Sequence, residues 1–184
     1  MSCTTLTSIT KSCTNNIGGI KKVWLWDMED VDADNTVFNE ATHTWTSYEI
    51  GAAPVGYEFI RNSSNYTEEA GIDLANGSSF VTVNLNLIFA KREASKSKAI
   101  KILGQGQRYL GGLVEDNNGL FWIFQDLQLS AVTEGSGTAK ADGSKYNIML
   151  MGEVADFAGT ISKEQAIAFI ETGSTIVEVG GGGD

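Results

Sequence analysis

One stretch near the middle of the chain, FVTVNLNLIFAK at residues 80–91, alternates between two kinds of residue more clearly than any other segment. Every second side chain is apolar, and these are Val81, Val83, Leu85, Leu87 and Phe89. The side chains between them begin with three uncharged polar residues, Thr82, Asn84 and Asn86. A period of two is the pattern of a β-strand with one buried face. The chain must therefore bury one side of this strand and present the uncharged polar side elsewhere.

The composition favours a fold built mainly from such strands. The 184 residues include 21 glycines and a single proline, Pro54, and 42% of them are hydrophobic. Chains of this kind, rich in Val, Ile, Thr and aromatic residues, suit long antiparallel strands joined by tight turns. The length is enough for one domain with a sizeable core.

The sequence patterns before and after this strand predict further strands and two helices. Residues 20–27 and 44–50 read as strands, and the sequences Asn118-Gly119 and Asp142-Gly143 predict two-residue hairpin turns. Residues 92–103 predict a short amphipathic helix with Ala99, Ile100 and Leu103 facing inward. Residues 161–171 predict a second helix, which begins with a capping box from Ser162 to Gln165.

The chain divides into one domain with two extensions. Residues 1–19, the N-terminal arm, are rich in Thr, Ser and Asn and show no periodicity, and Gly18-Gly19 gives the backbone freedom where the arm meets the body. Residues 20–179 form the single β-rich domain, and residues 180–184 form a glycine-rich tail. Both cysteines, Cys3 and Cys13, lie in the arm, and the sequence leaves open whether they are reduced thiols or a disulfide.

The charge argues against a protein that holds nucleic acid. The formal net charge is −10, whereas a nucleic-acid binder needs basic patches to neutralise phosphates. An acidic surface instead repels DNA and leaves it mobile. One basic cluster stands out against this background and consists of Lys91, Arg92, Lys96, Lys98 and Lys101. Such a cluster on an acidic chain is either a solvated face or a contact for an acidic neighbour.

The residues for catalysis or metal binding do not occur in recognisable arrangements. The single histidine, His43, has no nucleophile motif beside it, and neither a phosphate-binding loop nor a G-x-S-x-G sequence is present. The acidic stretch 28–37 resembles a calcium loop, but Asn35 stands where such a loop needs glycine and Ala41 where it needs glutamate. We therefore expect no enzymatic activity, no cofactor and no metal. We also expect no signal peptide and no membrane-spanning segment.

Two stretches resemble a known family of virus proteins. Within residues 129–158, the pieces Gly135–Thr138, Asp142-Gly143 and Asn147–Glu153 follow the layout of the C-terminal half of phage major tail tube proteins. The opening CTNNIGGIKKV at residues 13–23 resembles the start of structural proteins in phages of Bacteroidota hosts. Together the two stretches cover about a quarter of the chain, and the resemblance is to the tail tube proteins of long-tailed phages.

The resemblance implies an antiparallel β-sandwich or barrel with one or two short flanking α-helices. Copies would form hexameric rings, and stacked rings would make the tail tube through which DNA passes without tight binding. It implies that Thr82, Asn84 and Asn86 face the lumen and that the basic cluster lies between subunits. The arm would also contact a neighbouring subunit, through Cys13, Asn15, Asn16, Gly18 and Gly19. The partners would be other copies, other tail proteins and DNA, with no membrane, in a virion assembled in the host cytoplasm. The second helix departs from the family's layout.

Two other interpretations remain open at this point. The chain could be another tail component of the same fold, such as a tail terminator, a baseplate protein or a head–tail connector. It could instead be a monomeric β-sandwich binding module in which Trp45, Trp122 and several tyrosines form a binding platform.

Overall fold

A computed structural model describes residues 8–73 and 75–176 of the chain and contains ten strands and two α-helices. The strands are Ile20–Asp27 (β1), Val37–Asn39 (β2), Thr44–Ser47 (β3), Val55–Tyr57 (β4), Asn65–Asp73 (β5), Ser78–Ala90 (β6), Leu110–Asp116 (β7), Phe121–Gly135 (β8), Lys145–Val154 (β9) and Gly159–Ile161 (β10). The helices are Ala94–Leu103 (α1) and Lys163–Thr172 (α2). The strand predicted at residues 20–27 and the long strand around residues 80–90 are both confirmed.

The strands form two sheets that share β8. The first sheet has the order β2-β3-β10-β8-β7-β1-β4, and the second has the order β5-β6-β9-β8. All pairs of strands in the described ranges are antiparallel except β10 with β3, which is parallel. The fold is therefore mainly β, as predicted, and it is an open sandwich rather than a closed barrel.

The long strand β8 passes from one sheet to the other. Its first half pairs with β7 and β10, and its second half pairs with β9. At the crossing, Asp126 has a φ of 55°, and β9 passes so close that a Cβ on Gly152 would lie 2.8 Å from the Asp126 carbonyl oxygen. An irregular backbone here and a glycine opposite it allow the two sheets to diverge.

Two hydrophobic cores hold the sheets and helices together. The larger core lies between the two sheets and takes in the apolar side of β6, including Val83, Leu85 and Leu87, of which Leu85 and Leu87 are 0% exposed. The smaller core lies on the opposite side of the first sheet, where Trp26 and Tyr48 pack against Phe169 of α2. The alternation of β6 thus matches its burial residue by residue.

The two helices confirm the sequence pattern with one exception. Ser162 caps α2 as predicted: its hydroxyl accepts a hydrogen bond from the Gln165 amide, and the Gln165 side chain accepts one from the Ser162 amide. In α1, Ile100 and Leu103 are buried, but Ala99 is exposed. The prediction that Ala99 faces inward was wrong because α1 rests on the sandwich through a narrow stripe near its C-terminal end.

Both predicted turns lie between paired strands, but neither has the predicted two-residue form. Between β7 and β8, the Gly119 amide donates to the Asp116 carbonyl, and of the turn residues only Gly119 has a positive φ, 83°. This geometry suits a longer hairpin loop with a terminal left-handed glycine. Between β8 and β9 the loop covers residues 136–144, and the Asp142 carboxylate organises it by accepting bonds from the amides of Thr138 and Ala139.

Residues 174–176, which end the described part of the chain, contact the segment that follows β3. Ser174 forms a single β-bridge with Glu49, and the buried Thr175 exchanges two hydrogen bonds with Tyr48. Residues 177–179 and the predicted tail 180–184 lie outside the described residues.

Candidate functional site

The three polar residues singled out on β6 lie on a continuous sheet surface, which we call the outer face. The pairing aligns Glu69, Thr82 and Glu153 in one row across β5, β6 and β9. The next rows are Thr67–Asn84–Met151, then Asn65–Asn86–Met149, then Ile88–Asn147. Because the alternate residues of these strands enter the core between the sheets, the side chains in these rows must point away from it.

The outer face continues onto β8. There Gln128 lies opposite Met151, Ala131 opposite Met149, and Thr133 opposite Asn147. Thr82, Asn84 and Asn86 are half-buried by their neighbours, whereas Thr67, Asn147 and Met151 are exposed. The sequence-predicted residues are thus brought together with partners from three other strands.

Charges are confined to the two ends of the outer face. Glu69 and Glu153 stand at one end, and Lys145, which pairs with Ala90, stands at the other. Between these ends, the paired residues of the four strands provide amides, hydroxyls, methionines, an alanine and an isoleucine. Between its two ends this surface has no Lys or Arg to pair with phosphates and no carboxylate to repel them.

The outer face lies between two free strand edges. In the described chain, β5 pairs only with β6, and the second half of β8 pairs only with β9. Each neighbouring pair in this four-stranded sheet is antiparallel, so β5 and β8 run in opposite directions. Free edges present unpaired amides and carbonyls that readily accept another strand.

The N-terminal arm is attached to the hairpin turn between β7 and β8. The Asn117 side chain donates to the Gly18 carbonyl at 2.8 Å, and the Asn118 amide group donates to Ile17 and Asn16. Gly19 has a φ of 89°, which supports the predicted glycine junction. Cys13 and Asn15 are exposed, and Cys3 lies outside the described residues.

The basic cluster is only partly available to a partner. Glu93 pairs with Lys91 and Lys96, at 2.8 and 3.2 Å, and Glu134 pairs with Arg92 at 2.7 Å. Lys91 first, and then Lys96, holds the pKa of the Glu93 carboxyl below its usual value. Lys98 and Lys101, on the exposed side of α1, have no ion-pair partner in the part of the chain that the structure describes.

The remaining candidates give no arrangement for catalysis or metal binding. His43 contacts the Phe157 carbonyl through Nε2 at 3.2 Å, and its Nδ1 lies 4.0 Å from Asp156. Residues 8–73 and 75–176 contain no group of three or more His, Cys, Asp or Glu side chains that could hold a metal ion. None of the helices in those ranges is long and apolar enough to cross a membrane.

The two tryptophans proposed as a binding platform do not share a surface. Trp45 packs against the core next to α2, and Trp122 packs against the core between the sheets. The Trp122 indole donates to Asp116 at 3.2 Å. Because both rings are half-buried and belong to different cores, they do not form the flat aromatic surface that the binding-module interpretation needs.

Sequence reasoning identified β6 but not its partners on the outer face. From β9, the outer face receives Asn147, Met149 and Met151. These residues alternate with buried ones in KYNIMLMGEV, so the same period of two predicts their side of the strand. The contributions of β5, Asn65 and Thr67, lie in NYTEEAGID, where Glu68 interrupts the apolar positions. Only the strand pairing reveals that these residues adjoin Asn84 and Asn86.

Comparison with solved structures finds a likeness to a virion chain. The sequence matches no family model and no curated protein. A chain from a solved structure of the virion of a native gene transfer agent particle is similar over 71% of this chain and 98% of that chain, with 9% identity and a TM-score of 0.36. A TM-score this low does not show that the two proteins share a fold.

Proposed function

We propose that the chain is a structural virion protein, the subunit of a phage tail tube, and that its outer face lines the channel through which DNA passes. This proposal joins the resemblance in residues 13–23 and 129–158 to the arrangement of the second sheet. The single observation that carries it is a sheet face, uncharged between its two ends, that lies between two free, oppositely directed edges.

The chemistry of the outer face suits a channel for DNA. Each Lys or Arg that neutralises a phosphate adds affinity that depends on salt, and several such contacts would hold the DNA in place. Asn84, Asn86 and Asn147 offer hydration without charge, so DNA would slide past them. The net charge of −10 keeps the remaining surface from attracting DNA.

The free edges provide a way to close a ring. Because β5 and β8 run antiparallel, β5 of one copy can extend the sheet of the next copy beside β8 and continue the antiparallel pattern. Repeating this contact around an axis gives a head-to-tail cyclic assembly in which both edges of the second sheet are paired. The outer faces of all copies would then form one continuous inner wall.

The size of the ring and its place in the particle follow from the resemblance alone. We propose hexameric rings that stack into a tube and contact other tail proteins, with a role that is structural rather than enzymatic. A tail terminator, baseplate protein or head–tail connector of the same fold is the second candidate. It would form rings in few copies per particle, whereas a tube protein is present in many.

The proposal is tested first by the assemblies of the purified protein. We expect light scattering at high protein concentration to detect large species, and negative-stain microscopy to show hollow tubes or rings. A protein that remains monomeric at every concentration and salt would contradict the proposal. Isolated rings that never lengthen would favour the second candidate.

Disulfide trapping then tests the edge contact itself. In a Cys3→Ser/Cys13→Ser background, Thr67→Cys on β5 is combined in turn with Gln128→Cys, Ala131→Cys or Thr133→Cys on β8, which covers three registers of pairing. We expect one combination to give a ladder of covalent oligomers under oxidising conditions. Thr67→Cys with Ile167→Cys, which lies on the exposed side of α2, is the matched control and should give none. Assemblies that form without any ladder would show that other surfaces close the ring.

A further inference from the structure

The two ends of the second sheet carry opposite charge. At the end where β9 finishes, the exposed carboxylates of Glu69 and Glu153 flank Thr82, and Asp73 closes the adjoining hairpin. Asp126, at the crossing of β8, is exposed at the same end. Among the described residues, these four carboxylates form no ion pair.

The opposite end of the sheet is basic. Lys145 begins β9 there, beside Ala90 of β6, and Lys140 stands in the loop from β8 to β9. Neither lysine has an ion-pair partner in the described chain, and both are exposed. Lys91, Arg92 and Lys96 follow Ala90 and form ion pairs with Glu93 and Glu134. Asp142, near Lys145 in the same loop as Lys140, is a third carboxylate at this end. The cations still outnumber the carboxylates, so the local net charge is positive. Along β9, Glu153 and Lys145 are about 26 Å apart at the usual rise of a strand.

The acidic end also carries a projecting hairpin. The pairing of β6 with β9 stops at Val81, whereas its pairing with β5 continues to Ser78 opposite Asp73. This tip exposes two apolar side chains on opposite faces, Ile72 at 69% and Phe80 at 42%.

Contacts among its own residues connect the described parts of the hairpin tip, 71–73 and 75–80. The Asp73 carboxylate accepts hydrogen bonds from the Asn76 side chain and from the amides of Ala75 and Asn76, and these bonds, led by that of the Asn76 side chain, hold the pKa of Asp73 below its usual value. The Phe80 ring lies directly over Gly71, where a Cβ would be 2.7 Å from it. A defined shape lets the tip dock without a large ordering cost.

We propose that the acidic end of one copy, with the described residues 71–73 and 75–80 of its hairpin tip, docks on the basic end of a second copy, so that rings stack head to tail along the strand direction. The inference rests on the proposed ring. Charge complementarity identifies the partner surface, because Glu69 and Glu153 can form ion pairs with Lys140 and Lys145 of another copy. The exposed side chain of Ile72 becomes buried in the same contact. Because the two surfaces differ, the stack has a direction and its growth does not stop at a dimer of rings.

Charge reversal with complementation tests this contact. One variant, Glu69→Lys/Glu153→Lys, makes the acidic end positive, and another, Lys140→Glu/Lys145→Glu, makes the basic end negative. Each variant alone then opposes like charges, and we expect the fraction of rings in stacks to fall at least about tenfold. Mixing the two variants restores stacks in which they alternate, and a chain carrying all four changes stacks by itself. Microscopy of ring number per particle provides the measurement.

A matched variant separates the contact from a change in total charge. Glu164→Lys/Glu171→Lys alters two exposed carboxylates of α2 by the same amount and should stack as the wild type does. Equal thermal transitions of all variants verify that each is folded. Wild-type tubes together with wild-type stacking of both reversed variants would overturn the inference while leaving the ring intact. A wild-type protein that forms no ring would overturn the proposed function instead.

Discussion

Asn118 and Ile17 lie 101 residues apart in sequence, and the Asn118 side-chain oxygen accepts a hydrogen bond of 2.8 Å from the Ile17 amide. With the neighbouring bonds of Asn117 to Gly18 and Gly19, this contact fixes the last residues of the N-terminal arm to the body. Residues 8–15 are exposed and, within the described chain, hydrogen-bond only among themselves. Within the described chain, the arm is therefore free of the body at residues 8–15 and is attached from residue 16 onward.

Deletion of residues 1–15 should separate assembly from folding. We expect the thermal transition to stay within a few degrees of the wild type, because the described residues removed have no partner in the body, and we expect tube growth to stop. Deletion of residues 1–19 removes the bonds to Asn117 and Asn118 as well and should lower the transition further. Calorimetry and negative-stain microscopy measure the two effects. Unimpaired tube growth after the shorter deletion would show that the arm has no role between subunits.

Positive charge on the outer face should make the channel retain DNA. We expect Asn84→Lys/Asn86→Lys particles to assemble but to release their genome slowly at low salt, with the defect relieved as salt rises, because each phosphate contact adds a salt-dependent affinity. Ser95→Lys/Ala99→Lys, on the exposed side of α1, is the control with the same added charge. Rates of DNA release at several salt concentrations provide the measurement. Normal release at low salt would show that these residues do not line the channel.

The two opposite faces of β6 should differ sharply in their contribution to stability. Leu85 is 0% exposed in the core between the sheets, so Leu85→Ala should lower the free energy of unfolding by about 2–5 kcal/mol. Ile88→Ala, on the half-buried outer face, should cost about 1 kcal/mol because less apolar surface is lost. Urea denaturation of the unassembled protein measures both. Equal losses at the two positions would contradict the assignment of the faces.

The cap of α2 should be worth a measurable part of the fold's stability. Ser162→Ala removes the acceptor for the Gln165 amide and should lower the free energy of unfolding by about 1 kcal/mol. Ser162→Asp keeps an acceptor at the same place and should restore most of the loss. Thermal melts of the three proteins are the measurement, and an unchanged melt for Ser162→Ala would indicate that the first turn of α2 is held by packing alone.

Glu68 should make stability fall as the pH rises. Burial raises the pKa of its carboxyl above the usual value, although a hydrogen bond from the Ala158 amide opposes this shift. In the interval between the unfolded and folded pKa values, the folded state binds more protons than the unfolded state, so its stability decreases with increasing pH. We expect Glu68→Gln, which keeps an acceptor for Ala158, to flatten this dependence from about pH 4 upward. An unchanged slope would assign the effect to other groups.

The sequence by itself determined the elements whose signal is local. The alternation in β6 required one buried face, and the spacing of Ser162 and Gln165 placed the start of α2, because each pattern depends on residues a few positions apart. The sequence likewise determined that one side of β6 carries the uncharged polar residues Thr82, Asn84 and Asn86.

Only the tertiary structure decided which residues surround those three and where the edges lie. Register places Asn84 between Thr67 and Met151, and in the described chain it leaves one edge of β5 and one edge of the second half of β8 without a neighbouring strand. The tertiary structure also shows that Glu93 and Glu134 form ion pairs with part of the basic cluster. These relationships depend on strand pairing between distant parts of the chain. Alternation with a period of two identifies which side of a strand is buried. It does not identify the neighbouring strand, and a shift of the register by two residues leaves the same side buried.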